Sequence, residues 1–128
     1  MFQFDDTSEI SSVPVPAGFE YRTGTNARGI VWLAPKGRHD IGMVVCLFSL
    51  EHDTVKAAQQ GRDGFRDLKA GERTWRVAMP NPTEETESKD SFMAILVLKD
   101  VAVAVYGSDL GWKENDLKEF LAGVRLAH

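Results

Sequence analysis

The chain has 128 residues, 43% of them hydrophobic, which is enough for one domain with its own core and short for two. Its 15 basic and 19 acidic side chains give a net charge of −4, so the concentrated basic face of a nucleic-acid binder is not expected. A single cysteine, Cys46, excludes an internal disulfide. We therefore predict one domain over residues 1–128 that binds no nucleic acid and needs neither disulfide nor structural metal.

The beginning of the chain shows neither the basic segment nor the apolar stretch of a secretory signal peptide. The longest apolar run, residues 92–98, is far too short to cross a bilayer as a helix. We expect a cytoplasmic location without membrane insertion. An extracytoplasmic location would imply that a leader had been removed.

In the first part of the chain, alternating and β-branched patterns predict three strands after an extended entry. Residues 1–16 are expected to be that extended segment, because they end in Val-Pro-Val-Pro. The predicted strands are residues 19–23, 29–34 and 41–50. The last of these is almost continuously apolar, which indicates a central strand covered on both faces.

Between residues 53 and 70 the apolar residues follow the period of a helix. Four of them fall on one stripe: Val55, Ala58, Phe65 and Leu68. Asp53 is the expected N-cap, and Gly61 and Gly64 predict a kink that divides the segment into two short helices.

The second half of the chain repeats the scheme of three strands and a helix. The strands are predicted at residues 74–79, 91–98 and 101–106. The closing helix has four apolar residues on one face: Leu117, Phe120, Leu121 and Val124. We expect that face to be buried against the last two strands, at these positions or their alternate-face neighbours: Ile95, Val97, Val103 and Val105. The predicted fold class is α+β, a single antiparallel sheet of about six strands with two helices on one face, in the order β-β-β-α-β-β-β-α.

No combination of residues predicts catalysis or a metal site. His39 and His52 stand at opposite ends of one strand, roughly 40 Å apart if it is straight, which is too far for one ion. Cys46 lies within an apolar run without an activating neighbour, so we predict a buried, unreactive thiol. We expect a protein that is not an enzyme and has no cofactor. The enzymatic alternative would join carboxylates that are distant in sequence: Asp40, Asp53 and Glu72.

Three short motifs fit ordinary loops better than binding chemistry. Residues 24–29 space two glycines as a phosphate-binding loop does, but they lack the Lys-Ser/Thr pair and precede a strand. Residues 61–64, Gly-Arg-Asp-Gly, have the GxxG form of an RNA-binding KH loop in a strand order that does not support it. The acidic residues 84–87 would suit a cation or a basic partner, although charged loops are usually only solvated.

Two surfaces are candidate binding sites. The strand at residues 74–79 has an apolar row with few charges, and we predict an exposed sheet edge that pairs with a protein partner or a second copy. The candidate partner-binding residues are Arg73, Trp75, Arg76, Val77 and Met79. The strand at residues 19–23 is the other expected edge, where Glu20 and Arg22 discourage pairing. The candidate ligand groove, on an open face of the sheet, is formed by Tyr21, Trp32 and Tyr106.

The layout of the whole chain resembles the small α+β domains grouped as PsbP-like or DcrB-like. The resemblance is carried by residues 15–19, Val-Pro-Ala-Gly-Phe, before the first strand, and by residues 112–117, Trp-Lys-Glu-Asn-Asp-Leu, which lead into the closing helix. A helix after a long central strand completes the pattern. The resemblance implies a non-enzymatic adaptor, chaperone or accessory domain that binds another protein.

Two functions from different classes follow. The first is a protein-interaction module, such as an adaptor, chaperone or immunity-type protein, whose partner is another protein or a second copy of the chain. The alternative is a small-ligand-binding domain that uses a cleft between the sheet and the helices. An exposed apolar patch or an unguarded edge would favour the first, and an apolar pocket with a few polar groups would favour the second.

Overall fold

The computed structural model describes residues 2–3, 10–22, 30–38, 42–62, 64–78, 91–108 and 110–126. Within these ranges, the strands are β1 Phe2–Gln3, β2 Ile10–Val13, β3 Phe19–Arg22, β4 Val31–Pro35, β5 Gly42–Ser49, β6 Arg66–Ala70, β7 Arg73–Ala78, β8 Phe92–Val97, β9 Val101–Ser108 and β10 Arg125–Leu126. The helices are α1 Asp53–Gln59, between β5 and β6, and α2 Glu114–Ala122, between β9 and β10. Neither of these described helices has the length and hydropathy needed to cross a membrane.

Most of the described strands form one antiparallel sheet of seven, in the order β3-β4-β5-β9-β8-β7-β6. Hairpins build the two halves of this sheet, and the central pair β5–β9 joins them from Gly42↔Ser108 to Ser49↔Val101. A second, three-stranded sheet has the order β1-β2-β10. The antiparallel pairing and the two helices confirm the predicted α+β class, and the main sheet is close to the six strands expected.

The two helices pack on opposite faces of the main sheet. Along β9, Val103 and Val105 belong to the core cluster that contains α2, whereas Ala102 and Ala104 belong to the cluster that contains α1. Successive residues of a strand point to opposite faces, so each helix has a face of its own. The prediction that both helices share one face is therefore wrong, because strands that are apolar at nearly every position need cover on both sides.

The segment predicted as helical over residues 53–70 is a helix only in its first part. After α1 ends at Gln59, the turn contains Gly61 and Gly64 with φ of 67° and 80°, a left-handed conformation that glycine adopts readily. Beyond the turn lies β6, which forms a hairpin with β7 and is an edge of the main sheet. Exposed and buried residues alternate in the last part of β6, as in a half-buried strand, so the predicted second helix is wrong.

The start of α1 also differs from the prediction. His52, not Asp53, is the N-cap, since its Nδ1 atom accepts a hydrogen bond of 3.2 Å from the backbone N–H of Thr54. Asp53 is the first residue of the helix, where a negative charge is favourable near the helix N-terminus.

The closing helix lies as the periodicity predicts. Its apolar face is buried: Leu117, Phe120, Leu121 and, just beyond the helix, Val124. On the sheet side, Val103 and Val105 share this core cluster as expected. Ile95 belongs to the cluster on the other face, and Val97 is 36% exposed. The alternate-face neighbours of these two residues in β8 pack toward α2 instead.

The N-terminal segment, residues 1–16, is more than the extended entry that its prolines predict. Within it, β2 pairs with β1 on one side and with β10 on the other. Ile10 and Val13 are fully buried in the cluster that contains α2. Pro14 packs on Gly123 after α2, where an added Cβ would lie 2.9 Å from the Pro14 Cγ. Strand β2 is therefore part of the core.

Candidate functional site

The row predicted to bind a partner lies inside the sheet. β7 pairs with β6 on one side and with β8 on the other, and Trp75 and Val77 are each 1% exposed. Arg73 and Arg76 are half-buried on the same interior strand, and Met79 lies outside the described residues. The prediction of an exposed edge at this row is wrong, because residues 66–70, part of the segment predicted as helical, form β6, which pairs with β7 on that side.

The two edges of the main sheet are β3 and β6. The expected edge position of β3 is confirmed, and its Glu20 and Arg22 form an ion pair of 3.2 Å. On β6, Arg66 forms an ion pair of 2.9 Å with Glu114 of α2. Charged side chains on an edge strand disfavour pairing with another chain, so both edges are guarded.

Two of the three aromatic residues assigned to the ligand groove lie on one face of the sheet. Trp32 and Tyr106 both pair with Val44, from opposite sides. Directly paired residues of neighbouring strands point to the same face. Tyr21 pairs with Leu33, the chain neighbour of Trp32, and therefore lies on the opposite face. Tyr21 does not belong to this groove.

A row of side chains across five strands forms the floor of a groove on the α1 face, which we name the α1 groove. The row follows successive cross-strand pairs: Trp32, Val44, Tyr106, Met93 and Ala78. Each of these residues is half-buried, so part of each is open above the sheet. Apolar and aromatic surface thus continues from β4 to β7.

Among the described residues, α1 covers only part of this sheet face, and the α1 groove lies beside the helix. The helix packs over mainly small residues of the sheet: Cys46, Ile95, Ala102 and Ala104. Thr54 of α1 and Phe65 after it form the wall on the helix side. The groove has a volume of about 530 Å³, which is within the range of small-molecule sites. Its described lining has no charged side chain: Trp32, Gly42, Met43, Val44, Thr54, Phe65, Ala78, Ser91, Phe92, Met93, Tyr106 and Gly107.

Tyr106 brings a phenol to the floor of the α1 groove. Phe48 meets the Tyr106 ring edge-on with 5.6 Å between centroids, and it stacks on His52 at 4.0 Å. Burial, and next the charge of a Cys46 thiolate, raise the pKa of Tyr106 to about 12. The phenol therefore stays protonated at neutral pH and is able to donate a hydrogen bond to a ligand.

Cys46 lies in the same sheet face, beneath α1, and is only 6% exposed, as predicted. Burial raises the pKa of its thiol to about 11, which favours the low reactivity expected from the sequence. Among the described residues, no group of His, Cys, Asp and Glu is placed to hold a metal ion. Asp53 and Glu72 are exposed and do not line the α1 groove, and Asp40 lies outside the described residues.

Of the short motifs, the structure describes only the glycines of the GxxG motif, and they do not line the α1 groove. The glycines of the GxxG motif, Gly61 and Gly64, lie in the turn between α1 and strand β6, whereas a KH loop joins two helices. The phosphate-loop candidate, residues 24–29, and the acidic residues 84–87 lie outside the described residues.

Several groove residues carry no signal of their own in the sequence. Val44, Met93 and Ala78 look like ordinary strand residues, and only the register places them beside Trp32 and Tyr106. The decisive pairing, β5 with β9, joins strands that are far apart in the chain. Turn lengths set the register between strands that are neighbours in the chain, but they do not set the register of β5 with β9.

The buried thiol predicts a loss of stability at alkaline pH. A cysteine ionises near its ordinary value of 9.0 in the unfolded chain, whereas Cys46 ionises at about 11 in the folded protein. Between these values the unfolded state gives up a proton that the folded state retains. The contribution of Cys46 to the free energy of unfolding should be fully present below pH 9. It should fall by about 2 kcal/mol as the pH rises to 11. Urea unfolding of the wild type and of Cys46→Ala between pH 8 and pH 11 measures this fall. The same dependence of the free energy of unfolding on pH in both proteins would contradict the prediction.

No protein-family model matches the chain, and the curated proteins likewise contain no match to its sequence. A solved structure with a similar fold is the crystal structure, at 1.50 Å resolution, of a protein from Bacteroides thetaiotaomicron VPI-5482. The TM-score is 0.57 at 12% sequence identity, and the match covers 92% of this chain and 45% of that chain. The chain thus spans less than half the length of that protein, and the likeness shows the fold alone. The resemblance to PsbP-like and DcrB-like domains stays a prediction.

Proposed function

We propose that this protein is a non-enzymatic binding domain that holds a small, neutral, apolar or aromatic ligand in the α1 groove. The observation that carries the proposal is the floor row, in which Trp32 and Tyr106 flank Val44 beneath about 530 Å³ of space whose described lining is uncharged. An ion would lose its hydration there without gaining an ion pair, whereas an apolar ligand gains by leaving water.

The residues around the floor row favour a ligand with a ring and one or two polar atoms. The rings of Trp32 and Tyr106 offer offset-stacked or edge-on contacts to an aromatic ligand. Tyr106, Thr54 and Ser91 line the same space, and their hydroxyl groups would supply a few hydrogen bonds for orientation. A mostly apolar lining with few polar groups, as the described residues form here, is typical of small-molecule sites.

The protein-interaction alternative has less support from the described residues. The apolar row of β7 is buried, and charged residues guard both edges of the main sheet. The described large hydrophobic residues with substantial exposure are separate from one another: Tyr21 on β3, Ile30 just before β4 and Val97 at the end of β8. Singly scattered apolar residues are normal on monomeric proteins.

We keep the cytoplasm as the proposed location, since a lone thiol requires no oxidising compartment.

Binding of N-phenyl-1-naphthylamine, a neutral probe that fluoresces more strongly in apolar surroundings, tests the groove. We expect saturable binding to the wild type. Trp32→Ala should weaken it about tenfold, because an aromatic contact together with its buried area contributes about 1.5 kcal/mol. Fluorescence titration of the purified protein gives both dissociation constants.

Tyr21→Ala is the matched control for that titration. Tyr21 is an aromatic residue on the strand next to Trp32, but it points to the opposite face and is 53% exposed. Its removal should leave the probe affinity unchanged within about twofold. Binding that never saturates, or an equal effect of the two substitutions, would count against the α1 groove as the site.

A further inference from the structure

On the α2 side of the sheet, four aromatic rings converge at the start of α2, and one of them, Phe92, also reaches the lining of the α1 groove. Trp112 stacks on Phe92 with 5.8 Å between ring centroids and 6° between the ring planes. Phe19 and Phe120 approach the same indole at tilted angles, with centroid distances of 6.3 Å and 5.8 Å. Phe19 belongs to β3 and Phe120 to α2, so the cluster exists only in the folded chain.

The space beside these rings, which we name the α2 pocket, has a volume of about 440 Å³. Its lining is Pro14, Pro16, Ala17, Phe19, Trp112, Asp116, Glu119 and Phe120. The prolines come from the link between β2 and β3, and their rings hold the backbone dihedral φ nearly fixed. This part of the wall therefore has restricted backbone freedom.

Two carboxylates lie in the lining of this pocket with the rings. Asp116, Glu119 and Phe120 are spaced i, i+3 and i+4, so they share one side of α2. The Oδ2 atom of Asp116 accepts a hydrogen bond of 2.9 Å from the backbone N–H of Lys113, which holds that carboxylate in place. Within the described part of the chain, neither carboxylate forms an ion pair. The α2 pocket thus combines aromatic walls with negative charge that no described cation neutralises.

We infer that the α2 pocket binds an organic cation with a quaternary ammonium head. The face of an indole attracts a cation more strongly than other aromatic faces do, and two carboxylates add a favourable field. A quaternary head carries no N–H group, so its methyl groups pack against proline and aromatic carbon without leaving a donor unpaired. A primary ammonium brings three donors to a site where one carboxylate oxygen is already engaged. The α2 pocket and the α1 groove share no lining residue.

Choline is the probe, and its uncharged carbon analogue 3,3-dimethylbutan-1-ol is the matched ligand control. Two-dimensional ¹H–¹⁵N spectra at constant ionic strength follow the three indole N–H signals, assigned by single Trp→Phe substitutions. We expect choline to shift the Trp112 signal saturably and to bind at least about tenfold more tightly than the uncharged analogue. A Trp112 signal that does not move, or equal affinities for both compounds, would overturn the inference.

Glu119→Gln tests the negative charge without disturbing the aromatic walls, because Glu119 lies at an exposed position of α2. It should weaken choline binding at least about threefold and leave binding of the analogue unchanged. Glu72→Gln changes the net charge by the same amount at an exposed turn and should leave both affinities unchanged. An equal loss in the two variants would mean that only the overall charge matters, and the α2 pocket would not be the site.

Discussion

Phe120→Ala should lower the free energy of unfolding by about 3–5 kcal/mol. The Phe120 ring is 4% exposed, belongs to the core between α2 and the sheet, and lies 5.8 Å from the Trp112 ring by centroid distance. Its removal deletes apolar contacts and leaves a cavity, because the helix cannot close on the sheet without displacing its other buried residues. Urea unfolding followed by circular dichroism measures the difference.

Lys118→Ala is the control on the same helix. Lys118 is exposed, so its truncation should change the free energy of unfolding by less than about 0.5 kcal/mol. A loss below about 1 kcal/mol for Phe120→Ala would mean that α2 is not docked as described. The α2 pocket would then lose one of its walls as well.

Gly107→Ala should cost about 2–3 kcal/mol, although it adds only one methyl group. Gly107 pairs directly with Phe92 across β8 and β9, and an added Cβ would overlap the Phe92 ring. That ring cannot move aside freely, since it is 4% exposed and stacks on Trp112. The larger side chain must therefore displace a packed ring or separate β8 from β9.

A double-mutant cycle identifies the cause of that loss. Phe92→Leu should destabilise the protein by itself, but in the Gly107→Ala background it also makes room for the new methyl group. The two single losses should therefore exceed the loss of the double variant by at least about 1 kcal/mol. Additive losses would mean that the Phe92 ring does not fill the space above Gly107.

Local patterns located the strongest elements of this fold. The predicted strand at residues 41–50 is β5, Gly42–Ser49, and the one at residues 91–98 is β8, Phe92–Val97. Long β-branched and apolar runs bounded by polar residues have few other stable outcomes in a domain of this size. The buried stripe of α2 follows in the same way from four residues at helical spacing.

The segment from Phe65 to Ala70 shows where such patterns fail. Phe65 and Leu68 have helical spacing with α1, yet Leu68 lies on an edge strand opposite Trp75. Two apolar residues three positions apart satisfy a helical period and break the period of a strand, and the hairpin with β7 overrode that local preference. A helix at this position would leave β7 without a neighbour and place Trp75 at a sheet edge. In the structure β6 pairs with β7 and Trp75 is buried, so the predicted partner surface does not form.

By itself the sequence determined the α+β class, the edge position of β3, the docking face of α2 and the burial of Cys46. Only the tertiary structure decided that the helices cover opposite faces, that Tyr21 is separated from Trp32, and that the α1 groove and the α2 pocket exist. The first group depends on periodicity within one element or on the order of neighbours. The second depends on the register between strands distant in the chain, where a shift of one residue exchanges the two faces of the sheet.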